Sequence, residues 1–457
     1  MKIKSMLAAA IIGVASSSVL DAAVGADQAA RLGADLTPVG AEKAGNADGS
    51  IPAWDGKGVT VPAGWKPGTE YPNPYPDEKP IYQVTADNLA QYADILSEGT
   101  QALLKRYGKD GFRLDVYPTH RNVSQPQWYY DATKQNATGA QLVADGQMIQ
   151  GNVPGVPFPV PQSGLEVLWN HMIRFQGVQS YYRYDSYYVD ANGKPVLAAS
   201  ADNWFEYPMF MEHYKKRNYG STDLRYAYLR IDYLAPPRRA GEILLVHEPG
   251  ADYTAGKGRD AWQYLTGQRR VRKAPSVSFD TPNPSTAGTS TYDDSYMYNG
   301  SPERFEWKLV GKQEMLIPYN CNTFVFEKPA LELLDKHFFK PEYVRWEKHR
   351  VWVVEGTLKS GSRHIYGKRR YYIDEDSWTA LLGDLWDGKG ELWRVQQMYP
   401  FIQWDIPAPG NTALGAYDLK AGIYSINTKP NPGTFTQGFD ESEQFFTSQG
   451  IARTGVR

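Results

Sequence analysis

Seven histidines are the residues of this chain best suited to proton transfer or metal ligation: His120, His171, His213, His247, His337, His349 and His364. None stands in an H-E-x-x-H pattern, and a single cysteine, Cys321, rules out C-x-x-C ligation. No metal site and no catalytic residue are therefore expected. A serine nucleophile would need a G-x-S-x-G elbow between a strand and a helix, and none is present. Carboxylates cluster at Asp374-Glu375-Asp376 and Asp293-Asp294. Two such acids facing across a cleft would suit glycoside hydrolysis. Runs at strand ends read more simply as solvated turns, and that is the expectation here. Asp384, Asp387 and Glu391 surround Gly388 and Gly390. That spacing is not an EF-hand, and a hairpin turn accounts for it better than calcium.

The basic clusters carry more information. In "YLAPPRRAGEILL" two prolines remove ladder donors and force an extended kink before Arg238 and Arg239. Arg269, Arg270 and Arg272 form a second group, and Lys368, Arg369 and Arg370 a third. Guanidinium forks suit carboxylate or phosphate. Two readings stay open: cross-strand ion pairs and corner architecture, or a rim of Arg238, Arg239, Arg269, Arg270 and Arg272 holding an anionic head group. The chain is also rich in rings, with 32 tyrosines and 13 tryptophans. Trp204, Trp262, Tyr264, Trp307, Trp352, Trp378 and Trp393 are candidate liners of an apolar groove, and each is equally suited to plain core.

These groups need a scaffold. Lys2 and Lys4 precede a small apolar run, Met6 to Leu20, too short to span a bilayer, and Val24-Gly25-Ala26 fits a cleavage site. Residues 1–26 read as an export signal, without a lipobox cysteine, so a periplasmic location is expected. Residues 27–85 are Gly/Pro-rich and irregular, draped over the body. Leu89, Tyr92, Leu96, Leu103 and Tyr107 predict a helix ending at Gly108. Ser163 and Glu166 form a capping box ahead of Leu165, Leu168, Trp169 and Met172, predicting a helix over 163–175. Pro329 to Phe338 reads as a short helix. From Val178 onward, strand patterns separated by turns predict an antiparallel meander of about eight to twelve strands. An Asn192-Gly193 turn and a hairpin over Asp384–Trp393 are among its connections, and Ala416–Ile426 reads as one strand. In "HRVWVVEG" both faces are apolar, which requires cover on each side. The fold class is mainly β: a curved antiparallel sheet or open half-barrel with helices in its concave face. Residues 86–430 form that domain and 431–457 a tail. The balance of 49 basic and 51 acidic residues gives no field that would attract nucleic acid.

Several blocks resemble a known family. "RLGADLTPVGAEKAGNADGSIPAW", "YLAPPRRAGE", "AWQYLTGQRRVRKAP", "MYNGSPERFEWKLVGKQE" and "HRVWVVEGTLKSGSRHIYGKRRYYIDEDSW" look like domain of unknown function 1329, an uncharacterised Gram-negative secreted family. The central part is similar to periplasmic lipoprotein-sorting carriers of the Lol type. The resemblance implies a half-barrel lidded by helices whose groove holds acyl chains, elaborated here by the insert Phe279 to Arg304. It carries no ligand-binding motif onto particular residues. The expected function is a periplasmic carrier or chaperone for a hydrophobic or lipid-like ligand, in outer-membrane lipid or lipoprotein transport or envelope maintenance, without a cofactor. An outer-membrane protein or an efflux or export complex is the expected partner. The alternatives are an enzyme acting on envelope polysaccharide and a ligand-free accessory of such a complex.

Overall fold

The computed structural model describes residues 24–211, 225–254, 257–274 and 279–455. The predicted leader lies outside them up to residue 23. Ser97 accepts a hydrogen bond from Thr100 N at 3.0 Å and starts helix α1 (Glu98–Tyr107), which buries Leu103, Leu104 and Tyr107. The expected continuous helix from Leu89 is thereby broken. Leu89–Tyr92 is a separate turn, and Leu96 is extended, because a serine in N-cap geometry ends what precedes it. Helix α2 (Gln127–Gly139) was not anticipated. Its buried residues are Tyr129, Thr133, Asn136 and Ala137, too polar to mark a face by hydropathy. Helix α3 (Gly164–Met172) forms as the capping pattern predicts. Ser163 Oγ accepts from Glu166 N at 3.3 Å, while the Glu166 carboxylate accepts from Gln162 N at 2.5 Å.

Thirteen strands follow in two meanders. The first comprises β1 (Gln179–Val189), β2 (Pro195–Glu206), β3 (Ala227–Ala235), β4 (Ile243–Glu248), β5 (Asp260–Leu265) and β6 (Arg270–Lys273). The second comprises β7 (Phe305–Pro318), β8 (Arg345–Leu358), β9 (Tyr366–Asp374), β10 (Ala380–Asp387), β11 (Leu392–Gln403), β12 (Ala408–Asp418) and β13 (Ile423–Pro430). Consecutive strands pair antiparallel within each meander. The last strand of the second, β13, pairs with the first strand of the first, β1, so that Tyr424 lies opposite Val189. The result is one curved sheet, β7 to β13 and then β1 to β6, not closed into a barrel. Three further short strands bring it to sixteen, more than the meander predicted. One of them, Leu114–Val116, pairs parallel with β8, Asp115 opposite Arg345 and Val116 opposite Trp346. The expected strand over Ala416–Ile426 is instead the end of β12, a turn at Leu419–Gly422, and the start of β13. Pro329–Phe338 holds only one helical turn, Ala330–Leu333.

Helix α3 lies on the concave face against β7 and β8. Its approach depends on Gly164, where a Cβ would stand 2.7 Å from the Lys308 carbonyl carbon. The other half of that face is covered by the insert between β6 and β7. The N-terminal segment lies on this side too, across β8 and the β9–β10 turn, with Trp378 Nε1 donating to Val39 O at 2.9 Å. The outer face is covered as well. The C-terminal helix α4 (Ser448–Gly455) and Phe446 pack on β4 and β5, where Ile243, Leu245, Tyr264 and Ile451 form a second small core. The two-sided apolar strands are therefore explained: Val351, Val353 and Val354 are all buried. Among the described residues no helix is long and apolar enough to cross a membrane.

Candidate functional site

Alternation along β1 to β4 sends Tyr184, Asn203, Leu229, Ile231, Tyr233, Leu244 and Val246 to the concave face. The insert crosses above them, and between the two lies a cavity of about 70 Å³. Apolar side chains dominate the sheet wall, and Asn283, Ser285, Tyr292 and Tyr296 form the insert wall. Polar groups in it are left over: both side-chain atoms of the buried Asn203 lack a hydrogen-bond partner, as does Thr412 Oγ1. Unsatisfied buried groups are costly and mark places where something polar fits. The one carboxylate on the described lining, Glu248, is paired with Arg259 at 2.9 Å. A wider cleft of about 500 Å³ adjoins at Arg259, lined by Gln147, Tyr253, Phe279 and Asn299.

Four arginines fasten the insert down. Arg239 donates to Ser285 Oγ at 3.0 Å, Arg259 to Asn299 O at 2.8 Å, Arg369 to Asp293 Oδ2 at 2.8 Å and Arg394 to Gly288 O at 2.7 Å. The insert's own polar residues are buried with them, including Thr286, Thr289 and Asp294. Thr289 shares a 2.6 Å hydroxyl contact with Ser425 on β13. Asp293 and Asp294 are thus interior anchors, not the solvated turn that the sequence led us to expect.

The predicted groove residues fall in several places, and none lines the 70 Å³ cavity. Trp204, Trp262 and Tyr264 sit on the outer face of β2 and β5. Trp204 meets Phe445 edge-on at 5.2 Å, and Tyr264 packs in the outer core. Trp352 stacks on Trp378 at 6.2 Å beneath the N-terminal segment. Trp307 meets Tyr298 of the insert at 5.0 Å. Trp393 donates to Asp418 at 2.9 Å and carries the Arg394 guanidinium 4.1 Å from its ring centroid. Period-two alternation places the rings on strands on one face or the other, and sequence cannot say which when both faces are covered, while Trp378 stands in the β9–β10 turn, where alternation does not apply.

The arginine corners do come together. The Pro236–Gly241 corner joins β3 to β4, and a Cβ at Gly241 would stand 2.7 Å from Thr266 Cγ2 in the β5–β6 hairpin. Arg238, Arg269, Arg270 and Arg272 are exposed at that end. The register of β6 puts Arg270 and Arg272 opposite Leu265 and Gln263, alternating with the outward Val271. Arg239 turns inward instead, over the Tyr233 ring at 3.5 Å and beside Ser285 on the cavity wall.

Two buried features escaped sequence reasoning. Arg174, just past α3, is 3% exposed, donates to His171 O at 2.6 Å, and leaves Nε and Nη2 without partners. Burial pushes its pKa down. No carboxylate lies within salt-bridge distance of it among the described residues. The Asp374-Glu375-Asp376 turn is the second. It was expected to be solvated and is buried under the N-terminal segment, with Arg121 gripping Asp376 at 2.7 and 2.9 Å. Cover from a segment more than 300 positions away leaves no local signal.

A family profile described as protein of unknown function, DUF1329, matches residues 83–452. The chain belongs to the DUF1329 family. The uncharacterized protein PA3922 of Pseudomonas aeruginosa is 40% identical over 442 residues, covering 95% of each chain. A DUF1329 protein from Desulfovibrio piger is similar in structure at 15% identity, covering 60% of this chain and 92% of that one, with TM-score 0.39. A putative outer membrane lipoprotein-sorting protein domain from Vibrio parahaemolyticus matches at 14% identity over 63% of this chain and 97% of that one, with TM-score 0.42. A LolA superfamily protein from Nitrosomonas europaea matches at 12% identity over 62% and 97%, with TM-score 0.36.

Proposed function

We propose that this DUF1329 protein is a periplasmic carrier or chaperone that holds a hydrophobic or lipid-like ligand on the concave face of its sheet, where the insert now lies. The observation that carries this reading is the cavity between β1–β4 and the insert. Its sheet wall is apolar, and it holds unpartnered polar atoms at Asn203 and Thr412. Ligand sites span roughly 300–1,000 Å³. The present cavity of about 70 Å³ is far smaller. A ligand with an acyl chain therefore takes the place of the insert and does not sit beside it. The resemblance of the sequence to Lol-type carriers supports the same reading, as does the export-signal pattern. In this reading the ligand passes to or from an outer-membrane protein or an export complex.

Arg238, Arg269, Arg270 and Arg272 would meet an anionic head group at the end of the sheet. The competing polysaccharide-hydrolase reading requires a facing pair of carboxylates. Glu248, already paired, is the one that the described lining offers.

Native mass spectrometry with lipid extraction, on protein recovered from the periplasm, tests the carrier reading. A co-purifying amphiphile in stoichiometric amount is the expected result. Protein that carries none, and that binds neither an anionic nor a neutral fluorescent amphiphile in titration, overturns it. Changing Arg269 and Arg270 to Gln is expected to weaken the anionic probe about tenfold and to flatten its salt dependence, leaving the neutral probe and the melting temperature unchanged.

A further inference from the structure

The turn after β9 closes around a second site, independent of the carrier reading. One ligand atom each from His349, Asp374 and Asp376 lies within 4.8 Å of the other two, and all three residues are buried. They reach this point from separate elements. His349 is on β8, Asp374 ends β9, and Asp376 is in the turn that leads to β10. Glu347 Oε2 stands 3.1 Å from His349 Nε2. A carboxylate in that position orients metal-ligating histidines and leaves Nδ1 as the lone-pair nitrogen.

Asp374 decides the matter. Its Oδ2 accepts from Ser377 Oγ at 2.6 Å, Ser377 N at 2.9 Å and the Tyr319 hydroxyl at 3.2 Å. Its Oδ1 accepts from nothing, although the residue is 0% exposed. No lysine or arginine among the described residues forms a salt bridge with it, whereas Asp376 has Arg121 and Glu375 has Arg121, Lys312 and Arg350. A fixed, buried carboxylate oxygen with no donor and no cation is costly unless something positive sits there.

We propose that His349, Asp374 and Asp376 bind a divalent transition-metal ion. One imidazole and two carboxylates favour Zn²⁺ or Mn²⁺ over the all-oxygen preference of Ca²⁺ or Mg²⁺. The ion would tie the β8–β9 hairpin to the turn that the N-terminal segment covers, since Arg121 on Asp376 also reaches Lys43 O and Pro52 O at 3.4 Å. The alternative occupant is a proton, carried on the Asp374 carboxyl itself.

The full mature chain, stripped with chelator and dialysed against Zn²⁺ or Mn²⁺ alone, distinguishes the two. One retained equivalent and a raised melting temperature are expected for wild type. Asp374→Asn and His349→Gln should each weaken retention by at least tenfold, and Glu347→Gln by about 10–100-fold through lost orientation of the imidazole. If Asp374→Asn does not fold, His349→Gln alone carries the comparison, with X-ray absorption of the wild-type complex reporting nitrogen and oxygen ligation. Wild-type protein that retains no ion overturns the assignment, as does equal retention by His349→Gln.

Discussion

Arg369 on β9 donates to Asp293 Oδ2 of the insert at 2.8 Å, and the Asp293 side chain also takes His364 Nε2 at 3.1 Å. The Arg369 side chain is wholly buried and Asp293 nearly so. Burial alone would raise the Asp293 pKa, but the Arg369 charge and the His364 contact hold it well below the usual carboxylate range. Removing one member of a buried pair leaves the other uncompensated, at about 3–5 kcal/mol. Asp293→Asn is therefore expected to destabilise by about that amount at neutral pH. The contribution of Asp293 is present above its unfolded pKa and is lost as pH falls toward its depressed folded value. The gap between wild type and variant should accordingly narrow in acid, as denaturant titrations at several pH values would show.

If the insert covers the ligand site, loosening it has a second effect. Arg394→Gln removes the hydrogen bond to Gly288 O, along with those to the Tyr366 hydroxyl and Asp418, and leaves the Arg369–Asp293 contact in place. A fluorescent amphiphile should bind this variant faster than wild type in stopped flow. An unchanged association rate would mean that the insert does not limit entry.

Two buried acids work in the opposite pH sense. Burial raises Glu166 to about 7 and Asp384 to about 6. A carboxyl with a raised folded pKa favours the folded state below its unfolded value, and that advantage is lost as pH rises through the folded value. Wild type should thus lose stability on this account between about pH 4 and 7. Glu166→Gln and Asp384→Asn should flatten that slope and gain about 1–3 kcal/mol over wild type at pH 8. Melts across the same range, compared variant by variant, give the answer.

The C-terminal segment is predicted to be an obligatory cover. Arg230 lies 3.9 Å from the Phe445 ring centroid and its Nη1 donates to Phe445 O at 3.3 Å, while Ile451 is 0% exposed against β4 and β5. Ile451→Ala should cost about 2–4 kcal/mol. Ending the chain after residue 438 would uncover Trp204, Trp262 and Tyr264 together, and dye binding and aggregation are the expected readouts.

Arg174 gives a sharper contrast. A buried guanidinium with two unpartnered nitrogens is a liability to folding. Arg174→Met should raise stability by about 1–3 kcal/mol if packing accommodates the new side chain. A loss of stability instead would reveal contacts that the guanidinium makes and methionine cannot replace.

Local chemistry was enough to read much of this protein from its sequence. The Ser163 cap with Glu166, the Asn192-Gly193 and Asp384–Trp393 hairpins, the Pro-Pro-Arg-Arg corner and the meander are set by neighbours a few residues apart, where backbone geometry and side-chain hydrogen bonds decide the outcome. The covered, two-faced sheet followed from apolar residues in both registers, as at Val351–Val354. Three things were decided only in three dimensions. The last strand of the second meander pairs with the first strand of the first, β13 with β1, joining segments far apart in the chain that no turn connects. The tryptophans divide between the faces according to which remote segment covers each: residues 439–455 over Trp204, the N-terminal segment over Trp378. Acids that read as solvated turns, Asp293 and Asp374, became interior because distant parts of the chain fold over them. Alternation states that a side chain points up or down, but its burial depends on what arrives above it, and here that cover comes from far along the chain.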